Sequence, residues 1–113
     1  MPRETQNERP LLIHILPELA NELRNLLIKE GKSHLAEQVS SLQIYDRCRC
    51  GDNFCASFYT APPPKGSYGE SHYNIALEPD EGYFILDIVE EKIVYVEVLY
   101  RDDIEKALRK VIG

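Results

Sequence analysis

Apolar residues in the first third of the chain recur at helical spacing. Leucine and alanine positions after residue 16 fall three or four residues apart, which predicts a helix over residues 17–30. Pro17 suits the first turn of this helix, and Gly31 suits the left-handed residue that often follows a helix end. Residues 11–15, which are apolar apart from His14, predict either a short strand or an apolar segment that packs on the helix start.

Capping residues indicate two further helices. Ser33 can accept a hydrogen bond from a free amide at a helix start, which predicts a shorter helix over about residues 33–40. Asp102 or Asp103 can cap a final helix over residues 102–112, whose apolar residues form one stripe. The chain is therefore expected to begin and end with helices.

Between these helices, β-branched and aromatic residues predict a succession of strands. Residues 44–50 and 54–60 indicate a hairpin with Gly51 at its tip, and residues 73–78 indicate a third strand. The loop over residues 61–70 contains three successive prolines, which cannot donate hydrogen bonds to a sheet. An antiparallel sheet follows the first helices.

The last hairpin is predicted over residues 83–89 and 93–100. A three-residue loop at residues 90–92 brings like faces of the two strands together. The pairs that this register makes on one wholly apolar face are Phe84 with Val98, Leu86 with Val96 and Ile88 with Val94. We expect the helices to pack against this face.

The opposite face of the last hairpin is unusually apolar for a surface in water. Asp87 and Glu97 are its polar residues, and its other residues are Ile85, Val89, Ile93, Tyr95 and Leu99. A large exposed apolar patch is typical of an interaction surface. We therefore expect a protein partner on this face, with a second copy of the chain as the leading candidate. Tyr68 on the proline-rich loop is expected to contribute to the same surface.

These elements together define an α+β domain. It has N-terminal helices, an antiparallel sheet of about four to five strands built from hairpins, and a C-terminal helix packed on one sheet face. Residues 1–10 are polar and aperiodic, so we expect a flexible N-terminal arm, with residues 11–113 forming a single domain.

Composition narrows the possible partners and the location. The formal net charge of −6 repels the phosphates of nucleic acids, which disfavours a nucleic-acid partner. The apolar runs are much shorter than the roughly 20 residues of a membrane-spanning helix, so no membrane contact is expected. The start of the chain lacks the features of a secretory signal, and three cysteines fit a reducing compartment. The cytoplasm is the expected location.

Cys48, Cys50 and Cys55 are the residues most specific to a chemical function. Alternation along a strand places Cys48 and Cys50 on one face, and either a two-residue or a four-residue turn places Cys55 on that same face. Three thiolates and one imidazole form a common ligand set for zinc. If the three cysteines bind zinc, the imidazoles available as a fourth ligand are His72 on the next strand and His34 on the preceding helix.

The cysteine spacing leaves other interpretations open. The interpretation that we favour from the sequence is that the thiols pack as small apolar groups, and two of them can also form a reversible disulfide across the hairpin. A small enzyme could instead use Cys55 with His72 as nucleophile and base. It could also use Asp87 and Glu97, which the predicted register makes diagonal neighbours of like charge.

The segment CRCGDNFC at residues 48–55 resembles a segment of small bacterial proteins of uncharacterised function. This resemblance implies a bacterial, single-domain protein and brings no activity or ligand with it. The leading hypothesis from the residues is therefore a small non-enzymatic interaction or regulatory module, without a cofactor, that acts through the apolar sheet face and the tyrosine-containing loop. The alternative is a cysteine-based zinc-binding or thiol-redox protein.

Overall fold

The fold is a five-stranded antiparallel sheet with helices on one face, in a computed structural model that describes residues 9–52 and 54–112. The sheet order is β1-β2-β5-β4-β3. The strands are β1 Asp46–Arg47, β2 Phe58–Tyr59, β3 His72–Leu77, β4 Tyr83–Val89 and β5 Lys92–Leu99. The helices are α1 Leu12–Ile15, α2 Pro17–Lys29, α3 Ser33–Ala36 and α4 Asp102–Val111, and a short 3-10 helix covers Val39–Ser41. The α+β architecture predicted from the sequence is confirmed.

The helices follow the predicted spacing, with differences at their ends. The apolar segment ahead of α2 forms the short helix α1 and makes one bridge, between Leu11 and Gln43. The helix predicted over about residues 33–40 is the shorter α3, which ends at Ala36, and the Gln38 side chain beyond it bonds the Glu91 carbonyl and the Ile93 amide near the tip of the last hairpin. Ser33 and Asp102 are the first helical residues rather than caps, so both capping predictions are wrong.

The register of the last hairpin differs from the prediction near its tip. Glu90 and Glu91 form a two-residue turn with positive φ angles of 51° and 63°, and Ile88 pairs with Ile93. A β-bulge between Asp87 and Ile88 restores the predicted pairs farther from the turn. Ile93 therefore lies in the core, 3% exposed, and its predicted place on the opposite face is wrong.

A single apolar core lies between the helices and one sheet face. Phe58, Phe84, Leu86, Val96 and Val98 are fully buried on the sheet side. On the helix side, the core is formed by the buried residues of α2, which are Leu19, Ala20, Leu23 and Leu27. Burial of large apolar side chains is the main favourable contribution to folding, and it fixes which face of β4 and β5 points to the helices.

The start of the described chain is attached to the fold. The Ile44 amide donates a hydrogen bond to the Pro10 carbonyl at 2.9 Å, and the Arg9 guanidinium lies 5.0 Å from the Tyr45 ring centre. The rest of the predicted arm, residues 1–8, lies outside the described residues. Within residues 9–52 and 54–112, no helix has both the length and the apolar character that crossing a membrane requires.

Candidate metal centre

The sulfur atoms of Cys48, Cys50 and Cys55 all lie within 4.8 Å of one another. The three thiols are free, Cys50 is exposed, and Cys48 and Cys55 are half-buried. In the part of the chain that the structure describes, this is the one group of three or more Cys, His, Asp or Glu side chains close enough to hold a metal ion. The convergence of the three thiols that alternation predicts is present.

The register of β1 and β2 brings the thiols together. Asp46 pairs with Tyr59, and the Cys48 amide continues the ladder by donating to the Ser57 carbonyl at 2.8 Å. This register sets Cys50 opposite Cys55 across the four residues 51–54, the longer of the two turns considered above. The positive φ of Gly51, 86°, lets the chain reverse there.

Two hydroxyl groups, those of Ser57 and Tyr95, are hydrogen-bond partners of the thiols. Cys55 Sγ donates a hydrogen bond to Ser57 Oγ at 3.4 Å, and Ser57 is almost fully buried. The Tyr95 hydroxyl bonds both Cys48 and Ser57. Burial raises the pKa of Tyr95 well above its ordinary value, and the bond to Cys48 raises it further, so this phenol remains a proton donor at every physiological pH.

The sequence pattern did not single out Ser57 and Tyr95 as partners of the thiols. Ser57 lies two residues after Cys55, so strand alternation alone places it on the thiol face. Tyr95 joins the group because β5 pairs with β2 across the chain, with Tyr59 opposite Tyr95. The contact of Tyr95 with the thiol group therefore could not be predicted without the strand order.

Neither expected imidazole belongs to the thiol group. His72 lies on β3, the edge strand on the far side of the sheet from β1, where its Nε2 lies 2.7 Å from Asp87 Oδ1. His34 Nε2 lies 3.0 Å from Glu91 Oε1 at the tip of the last hairpin. The prediction of His72 as a fourth ligand or as a base for Cys55 is therefore wrong, because β3 does not adjoin β2.

Arg47 and Arg49, which directly precede Cys48 and Cys50, serve the fold. Arg47 Nε donates to the Ile112 carbonyl at 3.0 Å, which ties β1 to the end of α4. Arg49 Nη2 donates to Asp46 Oδ1 at 2.7 Å, and this hydrogen bond lowers the pKa of Asp46 below its ordinary value.

The sheet face opposite the core carries the thiols at one edge and an ionic cluster at the other. Asp87 pairs with Tyr95 and Glu97 with Ile85, so the two acids are diagonal neighbours as predicted. Asp87 accepts hydrogen bonds from His72 and Asn74, which gives its carboxylate a structural role. The predicted interaction residues Ile85, Val89, Tyr95, Leu99 and Tyr68 are all half-buried, and the Tyr68 ring lies 4.9 Å from the His72 ring.

Comparisons with known proteins found no match: neither a family model, nor a curated protein, nor a solved structure resembles this chain closely enough to assign it to a family.

Proposed function

We propose that this protein binds a thiophilic metal ion through Cys48, Cys50 and Cys55, and zinc is the leading candidate. The observation that supports this most is the convergence of the three sulfur atoms within 4.8 Å of one another. Zinc–sulfur bonds of about 2.3 Å in a tetrahedron set the sulfurs about 3.8 Å apart, a distance that small side-chain rotations reach from here. Thiolates are also the ligands that soft and borderline metal ions prefer.

The surroundings of the thiols favour a site over simple packing. Cys50 is exposed, so burial as a small apolar group does not explain its position. The hydroxyl groups of Ser57 and Tyr95 bond two of the three thiols. Hydrogen bonds of this kind orient metal ligands, and their loss commonly weakens metal binding.

Metal analysis and cobalt substitution test the proposal. Protein purified without chelator is expected to hold about one zinc per chain, and Co²⁺ is expected to give the strong near-ultraviolet absorption of sulfur-to-cobalt charge transfer. Cys50→Ser should lose most of this absorption without unfolding, because Cys50 is exposed. His72→Ala is the matched control, and its metal uptake should equal that of the wild type because His72 lies at the far edge of the sheet.

Two results would count against the metal site. Metal-free protein that binds no cobalt and keeps three unreactive thiols would leave the thiols without a function. A stable loss of two thiols on exposure to oxidised glutathione, with no metal uptake beforehand, would favour thiol–disulfide exchange between Cys50 and Cys55 instead. Either chemistry requires reduced thiols, so we propose that the protein works in a reducing compartment, the cytoplasm.

A second candidate function is association with another protein, and the leading candidate for this partner is a second copy of the chain. A group of exposed aromatic rings beside the thiols favours it: Phe54, Tyr83 and Tyr100 are 41%, 58% and 59% exposed. The Phe54 and Tyr100 rings stack with centres 5.2 Å apart, and the Tyr83 ring meets Tyr100 edge-on at 5.8 Å. Exposed aromatic rings are enriched at protein interfaces.

Light scattering tests the second candidate. A dimer is expected for the wild type and a monomer for Tyr83→Glu, with Glu97→Gln as a control that removes a charge from the same sheet face. A wild-type monomer over the whole accessible concentration range would contradict self-association.

A further inference from the structure

Within residues 9–52 and 54–112, the thiol site has three donors and no imidazole. The sequence has three cysteines and three histidines, and the structure describes all six. His14 lies in α1, His34 lies beside Glu91 and His72 lies beside Asp87. Among the described side chains, no carboxylate joins the three sulfur atoms either.

The open side of the site faces solvent and has an apolar flank. Cys50 is exposed and lies on β1's extension at the sheet edge. Cys55 is bridged to Leu99, which pairs in turn with Tyr83, so these side chains form a row on one face of the sheet. Leu99 is the neighbour of Cys55 in this row, and Tyr83 lies one strand farther away, 58% exposed.

We infer that a metal ion held by Cys48, Cys50 and Cys55 keeps one coordination position open, and that a small thiol from solution occupies it. This inference rests on the proposed metal-binding function. Zinc sites with four protein ligands are closed and structural, whereas sites with three protein ligands take an external fourth ligand. A metal already bound by three thiolates favours another soft donor, and Leu99, which is bridged to Cys55, offers apolar contact to the carbon chain of a thiol.

Binding of the thiol is an exchange without electron transfer. The thiol loses its proton to solvent, its sulfur forms a bond to the metal, and the water that held the fourth position leaves. Since the bound form is a thiolate, the apparent affinity for the thiol should increase as the pH rises toward the thiol pKa.

Titration of the cobalt-loaded protein with 2-mercaptoethanol tests the inference, with imidazole as the comparison ligand. The thiol is expected to raise the charge-transfer absorption by about one third, in proportion to the increase from three to four cobalt–sulfur bonds. Imidazole is expected to bind more weakly and to leave that absorption unchanged. The protein mass by light scattering should not change on addition of the thiol.

Three results would overturn the inference while the metal-binding function stands. The first is a charge-transfer spectrum that does not respond to the thiol, because the fourth position is then filled by the protein. The second is a starting spectrum that His72→Ala alters, which would make His72 a ligand. The third is tighter binding of imidazole than of the thiol. Absence of the charge-transfer absorption from the outset would instead overturn the metal-binding function itself.

Discussion

The Sγ atom of Cys55 and the Oγ atom of Ser57 lie 3.4 Å apart, with the thiol donating to the hydroxyl. The same hydroxyl accepts a hydrogen bond from the Val98 amide at 2.9 Å. Ser57 thus joins the thiol group to the central strand of the sheet, and it connects the stability of the fold with the position of one candidate ligand.

Ser57→Ala should destabilise the protein by about 1–3 kcal/mol, because it leaves the buried Val98 amide without this acceptor. It should also weaken cobalt binding by roughly tenfold, as loss of a group that orients a metal ligand commonly does. Urea unfolding and cobalt titration measure the two effects. Ser67→Ala, in the exposed proline-rich loop, is the control and should change neither. Unchanged stability in Ser57→Ala would contradict the role of this hydroxyl.

Arg101→Ala should destabilise the protein by about 1–3 kcal/mol. The Arg101 side chain is only 9% exposed, and its Nη2 lies 2.8 Å from Glu22 Oε2 while its Nε lies 3.1 Å from Asp103 Oδ1. Its removal breaks the link between α2 and the start of α4. Arg109→Ala is the matched control, because Arg109 is 47% exposed in its pair with Glu105 and such pairs contribute about 0.5 kcal/mol or less. Equal effects of the two changes would contradict the structural role of Arg101.

The pair of Arg101 and Asp103 should also make stability depend on pH. The hydrogen bond from Arg101 lowers the pKa of Asp103 below its ordinary value of about 3.9. A lowered carboxyl pKa contributes stability above the unfolded-state pKa, and this contribution is lost as the pH falls through the folded-state pKa. Asp103→Asn should therefore be less stable than the wild type at pH 7, by an amount that shrinks as the pH falls below about 4.

Urea unfolding of both proteins at neutral and at acidic pH measures this difference in stability. The effect should be small, because the Asp103 side chain is 63% exposed and solvent screens the pair. Asp102→Asn at the same helix start reports the contribution of the helix dipole alone. A stability gap between wild type and Asp103→Asn that stays constant down to acidic pH would rule out the proposed linkage.

Glu90→Asn should stabilise the last hairpin by up to about 1 kcal/mol, whereas Glu90→Val should destabilise it by a similar amount. Glu90 has a φ of 51° in the two-residue turn, a conformation that Asn adopts readily and that a β-branched residue does not. Thermal unfolding of the two variants measures both effects. Equal unfolding temperatures of the two variants would contradict the two-residue turn. They would favour the three-residue loop at residues 90–92 that the sequence predicted.

The sequence pattern predicted the helices and most of the sheet because their signals are local. The spacing of apolar residues identified α2 and α4, and alternation identified the core faces of β4 and β5. The tip of the last hairpin could not be predicted, because Glu90 and Glu91 are not typical of a turn with two positive φ angles. The bulge beside Asp87 that follows from this turn carries no signal of its own.

The convergence of the three thiols was predictable because its signal is also local. The distance of His72 from them was not predictable. Cys48, Cys50 and Cys55 belong to one hairpin, so alternation and the turn length determine their common face. The position of His72 depends on the strand order, which places β3 at the far edge of the sheet. Pairing between strands distant in sequence is decided by the packing of the whole domain, and no local pattern records it.

The central strand of the sheet, β5, is also the last strand to be synthesised. Before β5 emerges, β1 and β2 have only each other to pair with, and an isolated strand pair is marginally stable in water. The bridge from Cys55 to Leu99 forms only when β5 joins β2. During translation the three sulfur atoms are therefore expected to be unordered and open to oxidation, so that a metal ion is best acquired after residues 92–99 have left the ribosome.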